Sequence, residues 1–231
     1  MPGVADPQSL STIPLFHGLT GEELSRINAL LHRKTFPAAV SLFAAEQPGE
    51  VAYLILSGTV KVCADQADGS TVILAIRGPG EIVGEMSLID NSGRSASVTT
   101  LEESTLLWID RLAFQTCLQT IPSLAYNLLE ILVRRLRLAS AQIQTLATQD
   151  LYGRVARQVL AFAEAYGQPV PGGATLIPLR LTQSDFAGLV GASRSRVNQV
   201  LGYFRDQHYI SIDQHARITV HNPSALAHRC Q

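Results

Sequence analysis

Apolar and polar positions follow different spacings in successive parts of the chain. After Thr20, which forms a capping-box pattern with Glu23, apolar residues recur every three or four positions and predict a helix. Beyond Pro37, short apolar stretches alternate with Gly, Pro, Asp and Ser, which predicts an antiparallel β-roll or barrel rather than a βαβ fold. Residues 98–109 are expected to supply its closing strands and residues 112–118 a short helix. The pattern therefore predicts an α+β fold.

A long helix is predicted next, from about Ser123 to Ala147, with a hinge at residues 147–149. Its apolar residues are spaced alternately by four and three over three heptads, as in a coiled-coil dimer. This seam consists of Ala125, Leu129, Leu132, Leu136, Ala139, Ile143 and Leu146. The arginines near this seam favour a helix whose side opposite the seam faces solvent. The alternative is a helix that packs only on its own domain.

Residues 181–207 have the pattern of a helix-turn-helix. Thr182 and Asp185 are placed to cap the first helix, Gly191 to make the turn and Ser193 to cap the second helix. The second helix has an apolar face and, opposite to it, a short polar face suited to the major groove of DNA. The polar face holds Ser195, Asn198 and Gln199, with Arg194 on its flank.

Two alternating stretches, residues 209–212 and 217–220, predict the strands of a wing after the second helix. Upstream of the helices, residues 169–173 read PVPGG and predict a loop. The alternative for the whole region is a helical hairpin with no role in DNA binding.

Charge is distributed unevenly between the two halves. Residues 1–125 carry seven Lys and Arg against 13 Asp and Glu, whereas residues 126–231 carry 11 against six. All 11 cations of the second half are arginines, so we expect only that half to meet a polyanion. The 46% of hydrophobic residues indicates a globular protein. The sequence contains no apolar run long enough to span a membrane, and residues 1–10 lack a leader pattern, which predicts a cytoplasmic protein.

The most informative chemical pattern lies between Gly84 and Ala96, which reads GEMSLIDNSGRSA. Glu85 follows a glycine turn, and Arg94 and Ser95 come nine and ten residues after it. Arginine offers a planar fork of donors to phosphate oxygens, serine and backbone N–H groups add donors, and a carboxylate accepts from a ribose hydroxyl. The segment therefore predicts a site for a phosphodiester joined to a ribose. The alternative is a surface turn with an incidental Glu–Arg pair.

This segment resembles the phosphate-binding cassette of cyclic-nucleotide-binding domains. The order of motifs over about residues 13–222 resembles the Crp–Fnr family of bacterial transcription regulators, in particular its catabolite-activator-like members. The resemblance implies a cyclic-nucleotide-binding β-roll over residues 1–122, a dimerisation helix and hinge over 123–149, and a winged helix-turn-helix over 150–231. It also implies a homodimer through residues 125–146 that binds palindromic double-stranded DNA and contacts RNA polymerase, with no membrane partner.

The resemblance assigns roles to individual positions. Glu85 would hold the ribose 2′-hydroxyl, Arg94 and Ser95 the cyclic phosphate, and the long helix would close over the base. The implied ligand-binding residues are Gly84, Glu85, Arg94, Ser95, Ala96, Arg135 and Ser140. The implied DNA-binding residues are Thr182, Ser193, Arg194, Ser195, Arg196, Asn198 and Gln199. An arginine in that helix can read guanine, and an amide side chain can read adenine.

Three features depart from the family's pattern. Where cAMP-binding members place a threonine that recognises adenine, this chain has Ala139, although the following Ser140 remains. The missing hydroxyl weakens the case for adenine, so cyclic AMP is the favoured effector and cGMP is left open. Ser195 and Gln199 replace the glutamate and arginine of the family's best-known recognition helix, which predicts a different DNA half-site. No cysteine cluster precedes the β-roll and the histidines lack metal-ligand spacing, so no metal, haem or iron–sulfur cluster is expected.

The sequence thus predicts a homodimeric transcription regulator gated by a cyclic nucleotide. One alternative is a family member that binds another effector or none and acts constitutively, for which Ala139 is the support. The other alternative is an enzyme, or a regulatory subunit of one. The sequence contains no P-loop, nucleophile elbow or metal-ligand pair that would favour catalysis.

Overall fold

The computed structural model describes residues 10–66 and 71–230, so nine of the ten N-terminal residues predicted to lack a leader pattern lie outside the described part. The described chain forms two compact units. The first unit comprises the described residues up to Asp65 together with Ala75–Leu138. The second unit comprises the described residues of Gln66–Leu74 together with those from Ala139 onward.

Helix α1 (Gly21–Leu30) opens the first unit after a 3-10 turn at Pro14–Phe16. The predicted capping box is confirmed, because Thr20 Oγ1 accepts from the Glu23 N–H at 3.3 Å and Glu23 Oε2 accepts from the Thr20 N–H at 2.8 Å. Both orphan donors at the start of the helix are thereby satisfied. Leu24 and Ile27 turn the apolar face of α1 into the core.

Eight strands and two further helices follow. The strands are β1 (His32–Phe36), β2 (Ser41–Phe43), β3 (Val51–Ser57), β4 (Val60–Asp65), β5 (Thr71–Arg77), β6 (Ile82–Val83), β7 (Ser97–Thr100) and β8 (Ser104–Asp110). Helix α2 (Met86–Asp90) lies between β6 and β7, and helix α3 (Arg111–Thr120) follows β8. The strands form two sheets, β1-β8-β3-β6 and β2-β7-β4-β5. The pairings of β1, β2, β3, β4, β6, β7 and β8 are antiparallel, which confirms the predicted β-roll and its closing strands.

Two apolar clusters hold the β-roll together. One joins α1, α3 and the start of the next helix to the β3–β8 pair, with Leu54, Leu107 and Phe114 among its buried members. The other lies between the sheets and includes Ile55 and Leu106. Leu54 and Ile55 fall in different clusters because successive side chains of a strand point to opposite faces. Sheet β1-β8-β3-β6 is therefore covered on both sides.

The long helix α4 (Pro122–Thr148) has two apolar sides. Leu124, Leu128 and Ile131 are buried in the first core cluster, so the start of the helix does pack on its own unit. Of the heptad residues, Leu129 and Ile143 are 59% and 68% exposed in the single chain, and Leu136 and Leu146 are exposed as well, whereas Leu132 is half-buried and packs against the same cluster. The exposed heptad residues are compatible with the predicted dimer seam, which stays a prediction.

The second unit contains α5 (Leu151–Tyr166), β9 (Gln168–Val170), β10 (Ala174–Ile177), α6 (Gln183–Val190), α7 (Arg194–Asp206), β11 (Ile210–Ile212), β12 (Ile218–Val220) and α8 (Pro223–His228). The predicted helix-turn-helix is confirmed as α6 and α7, and the predicted wing as β11 and β12. The four strands form one antiparallel sheet in the order β11-β12-β10-β9.

One sequence prediction for this region was wrong in part. Residues 169–173 are not a loop throughout, because Pro169 and Val170 belong to β9 and only the following residues turn back into β10. Proline is tolerated there since β9 is an edge strand. Helix α4 continues through Ala147 and Thr148, and Asp150 caps α5, so Gln149 alone lies between them, and the hinge at residues 147–149 stays a prediction. None of the described helices is long and apolar enough to cross a membrane.

Candidate functional site

The turn between β6 and α2 brings the backbone of Gly84 against the side chain of Arg94. Gly84 has φ 81°, a left-handed conformation that L side chains rarely adopt. A Cβ added at Gly84 would lie 2.6 Å from Arg94 Nη1. The Gly84 carbonyl accepts a hydrogen bond from that same nitrogen at 2.8 Å. Glycine is therefore required here both for the turn and for the close approach of the guanidinium.

Arg94 itself is only 5% exposed. Its Nη1 also donates to Ser87 Oγ at 2.9 Å, and its Nη2 donates to the Val51 carbonyl at 2.6 Å. The guanidinium lies over the ring of Phe43, 4.0 Å from the centroid. These contacts hold the plane of the guanidinium in one orientation.

The charge of Arg94 is incompletely compensated by its surroundings. Its Nε is a buried donor that has no acceptor among the described residues, and no carboxylate of that part of the chain lies within ion-pair distance of it. Burial lowers the pKa of Arg94 below its ordinary value, although an arginine in a protein remains charged. A buried cation with an unused donor favours an anionic oxygen as its partner.

Glu85 forms a buried ion pair with the long helix. Arg135 Nη1 donates to Glu85 Oε1 at 2.7 Å, and Arg135 Nη2 donates to the Ile82 carbonyl at 2.6 Å. The Glu85 side chain is 3% exposed and that of Arg135 18%. Burial lowers the pKa of Arg135, and the charge of Glu85 opposes this change. The carboxylate of the cassette is thus directly connected to α4.

The remaining cassette residues differ in exposure. Ser95 is exposed, and its Oγ lies 3.8 Å from Met86 Sδ. Ala96 is buried directly before β7. The structure thus brings Gly84, Glu85, Arg94, Ser95, Ala96 and Arg135 together in the first unit. Ser140 belongs to the second unit, five residues beyond Arg135 on the same helix.

Arg111 is a residue of this region that sequence reasoning missed. At the first position of α3, it donates to the Gly49 carbonyl and to Asn91 Oδ1, and its N–H donates to the Glu50 carbonyl at 2.9 Å. Gly49 in turn packs on Ser87, whose Oγ would lie 2.1 Å from a Cβ added at Gly49. Arg111 therefore joins the segment before β3 to the segment that carries Arg94. Its partners are mainly backbone carbonyls distant in sequence, which leave no residue pattern to recognise.

The helix-turn-helix presents a polar, cationic surface. Thr182 Oγ1 accepts from the Asp185 N–H at 3.1 Å and Ser193 Oγ accepts from the Arg196 N–H at 3.4 Å, so both hydroxyls cap the helices that follow them. Gly191 makes the turn with φ 63°. The predicted DNA-binding residues Thr182, Ser193, Arg194, Ser195, Arg196, Asn198 and Gln199 are all exposed.

The opposite face of α7 is buried. Val197, Val200 and Phe204 are at most 2% exposed, which fixes the rotation of the helix and turns its polar residues outward. One polar contact crosses between the two helices, from Gln183 Nε2 to Asn198 Oδ1 at 2.8 Å. A capped helix with an exposed polar first turn is the arrangement by which helix-turn-helix proteins enter the major groove.

Metal chemistry finds no support in the described residues. They contain no group of three or more His, Cys, Asp or Glu side chains that could hold an ion. Cys63 and Cys117 are buried, and burial raises the pKa of Cys117.

The chain combines a β-roll that carries the cassette around Arg94, a long helix and a winged helix-turn-helix. This combination defines the class of DNA-binding regulators with a cyclic-nucleotide-binding domain. Family comparisons agree with this class. Residues 33–121 match the cyclic nucleotide-binding domain, and residues 153–229 match the Crp-like helix-turn-helix domain.

Relatives and solved structures identify the family. The chain is 33% identical over 222 residues to the CRP-like cAMP-activated global transcriptional regulator of Mycobacterium tuberculosis, covering 96% of this chain and 98% of that protein. It is 33% identical over 188 residues to the cyclic AMP receptor protein of Thermus thermophilus, covering 81% and 83%. The structure of the c-di-GMP responsive global regulator CLP of Xanthomonas campestris matches with a TM-score of 0.74 and 25% identity, covering 87% and 99%.

The chain therefore belongs to the Crp–Fnr family of DNA-binding transcription regulators. This is a family of regulators and not of enzymes, so the catalytic alternative is set aside on the ground of kinship. The names of the relatives include both cAMP and c-di-GMP, so the family alone does not assign an effector.

Proposed function

We propose that the protein is a homodimeric transcription regulator whose binding to palindromic DNA is gated by a cyclic nucleotide, with cAMP favoured and cGMP as the second candidate. The observation that carries the ligand part is Arg94, a buried cation with an unused Nε donor in a family-typical cassette. The division into residues 1–122, 123–149 and 150–231 is part of this proposal. So is a cytoplasmic location, where the DNA target lies.

Arg94 is suited to a phosphodiester because part of its donor set is already used. Gly84 and Ser87 take Nη1, and Val51 takes one of the two hydrogens on Nη2. The Nε hydrogen and the remaining Nη2 hydrogen are the donors left for phosphate oxygens. A buried donor without an acceptor costs about 1–3 kcal/mol. A ligand oxygen that accepts from Nε would remove this cost and so favour binding.

The ribose would bind at the Glu85–Arg135 pair. Glu85 accepts from Arg135 through Oε1, and a carboxylate has lone pairs enough to accept from a ribose 2′-hydroxyl as well. Ligand bound to Glu85 would thereby change the environment of Arg135 on α4. A ligand that interacts differently with two arrangements of the long helix shifts the population between them, which is how gating would reach the dimer seam.

The base is the part of the ligand for which this chain departs from the cAMP-binding pattern. Ala139 stands where a threonine is expected, and Ser140 would be the remaining polar contact. Two relatives are named for cAMP, which favours adenine. The alternative, a regulator with another effector or none, is supported by Ala139 and by the c-di-GMP responsive neighbour.

Calorimetric titration of the purified protein with cAMP, cGMP, c-di-GMP and non-cyclic 5′-AMP tests this assignment. We expect micromolar or tighter binding of cAMP and much weaker binding of 5′-AMP, because the cassette would recognise a cyclic phosphodiester. Tighter binding of cGMP would revise the base and keep the site. Binding of none of the cyclic nucleotides would reject gating by a cyclic nucleotide and leave the alternative of a regulator with another effector or none.

DNA recognition is assigned to the exposed face of α7. Arg194 is placed at the first position of α7, with an exposed side chain, where it can read guanine, and Asn198 or Gln199 can read adenine. A homodimer would present two such helices about 34–36 Å apart to one palindrome. RNA polymerase is the further partner that we expect of a regulator of this class.

An Arg194→Ala variant is expected to weaken binding to a selected duplex by about 1–3 kcal/mol and to relax one base position of each half-site. Affinity is measured by fluorescence anisotropy, and base preference by selection from a random pool. Arg205→Ala is the matched control, since Arg205 is also exposed and lies in the last turn of α7. An equal loss of affinity on all sequences would make Arg194 a phosphate contact instead.

A further inference from the structure

The last described residues form a capped and packed segment beyond the wing. Asn222 Oδ1 accepts from the Ala225 N–H at 2.9 Å and starts α8, and Leu226 is fully buried. Helix α8 packs on α5. Residues 222–230, here called the C-terminal segment, are therefore an integral part of the second unit.

The backbone of this segment contacts the junction between α4 and α5. Gln149 Nε2 donates to the Cys230 carbonyl at 2.6 Å. A Cβ added at Gly153 would lie 2.8 Å from the Arg229 carbonyl oxygen. The first turn of α5 thus has a glycine where the C-terminal backbone passes closest. Gln149 is the residue that follows the long helix, so the C-terminal segment is tied directly to the end of α4.

The side chain of Arg229 contacts the recognition helix. Its guanidinium lies 5.2 Å from the ring centroid of Tyr203 on α7 and 6.0 Å from that of Tyr152 on α5, and Nη2 donates to the Tyr203 hydroxyl. The two tyrosine rings meet edge to face at 5.4 Å. Arg229 therefore bridges the start of α5 and the recognition helix.

We propose that the C-terminal segment is a strut that fixes the recognition helix α7 relative to Gln149, with Arg229 as a positioning residue for DNA binding. Base contacts require a helix held within narrow limits of position and angle, and this strut supplies a connection outside the helix-turn-helix itself. The inference deepens the proposed DNA-binding function of α7. It does not depend on which nucleotide, if any, binds the β-roll.

A double-mutant cycle between Arg229 and Tyr203 tests the strut. Arg229→Ala and Tyr203→Phe are compared singly and together, since phenylalanine keeps the ring and removes the hydroxyl. The probe is a duplex selected by the wild-type protein from a random pool, and a scrambled duplex of the same length serves as reference. We expect Arg229→Ala to weaken specific binding about threefold, as for an exposed cation–π contact. The double variant should lose less affinity than the product of the fold losses measured for the two single variants.

Two controls separate positioning from general stability. Arg205→Ala removes an exposed arginine of α7 that lies outside the C-terminal segment and pairs with Asp206, and it should bind like the wild type. Affinities are measured well below the unfolding midpoint of each variant, which circular dichroism reports. Strictly multiplicative losses would overturn the proposed contact. Equal weakening on selected and scrambled duplexes would also overturn it, because Arg229 would then touch phosphates directly.

Gln149→Ala tests the connection to the long helix. If the strut joins the junction to α7, this variant lowers the ratio of DNA affinities measured with and without cAMP. A wild-type ratio of one would contradict nucleotide gating but not the strut, which the Arg229–Tyr203 cycle judges independently. An unchanged ratio in Gln149→Ala, beside a wild-type ratio above one, would overturn the junction part of the strut.

Discussion

An Arg94→Ala variant is expected to bind cAMP about 1.5–3 kcal/mol more weakly than the wild type, because it removes a charged donor from a phosphodiester. The loss is at the upper end if the phosphate is left unpaired away from water. Arg94 is buried, and its guanidinium is held by the ring of Phe43 and by three oxygen acceptors of other residues. Its contribution should therefore depend little on side-chain ordering when ligand binds.

The variants for this test separate charge, geometry and support. Arg94→Lys keeps the cation but offers no planar fork, so it should recover only part of the affinity. Ser87→Ala leaves the arginine in place and removes one of its supports, so it should cost less than either substitution of Arg94. Calorimetric titration gives the affinities, and thermal unfolding shows how much of any loss follows from a loosened β-roll.

The phosphate role would be contradicted by an affinity for cAMP within about threefold of wild type in Arg94→Ala, a difference of less than about 1 kcal/mol. Binding that survives in Arg94→Ala but is abolished in Ser87→Ala would likewise contradict it, because the site would then depend on the turn around Gly84 and not on the guanidinium.

The features that could be predicted from the sequence are those encoded by neighbouring residues. The capping boxes of Thr20 and Thr182 lie within three residues of their partners, and the heptad and recognition-helix faces follow from helical periodicity. The turn at Gly84 was predicted for the same reason, since glycine is the residue that accepts φ 81° without strain.

Contacts that join distant segments could not be predicted in this way. The guanidinium of Arg94 is held partly by backbone carbonyls, such as that of Val51, 43 positions earlier, and any residue type supplies a carbonyl. The hydrogen bonds from Arg111 to the Gly49 carbonyl and from Gln149 to the Cys230 carbonyl likewise leave no residue pattern in the sequence. The sequence predicts a loop where strand β9 forms, because Pro169 has a weak strand preference and the pairing with β10 that outweighs it is not visible in the sequence.

The pair of Glu85 and Arg135 lies between these cases. Both residues belong to the predicted ligand site, but their separation of 50 positions left their direct contact unforeseen. Buried charges are found paired because an isolated one is costly. The contact between the cassette carboxylate and an arginine of the long helix would therefore connect the proposed ligand site to the proposed dimer helix.

An Ile143→Glu variant is expected to abolish dimerisation at concentrations where the wild type is dimeric, and with it specific binding to palindromic DNA. Ile143 is a seam residue of α4 and is 68% exposed in the single chain. Burying an isoleucine is worth about 1.5–3 kcal/mol, and the dimer loses two. Each glutamate also places a charge in an apolar seam, where it repels its counterpart.

Ala141→Glu is the matched control, because it adds the same charge two residues earlier, off the seam and exposed. Sedimentation velocity should show a monomer for Ile143→Glu and a dimer for Ala141→Glu. Both variants should retain cAMP affinity within a few fold if the cassette residues supply most of the binding energy, whereas only Ala141→Glu should bind the palindrome as the wild type does. A dimeric Ile143→Glu protein would reject the seam, and a monomer that still bound the palindrome with full affinity would show that two linked recognition helices are not needed.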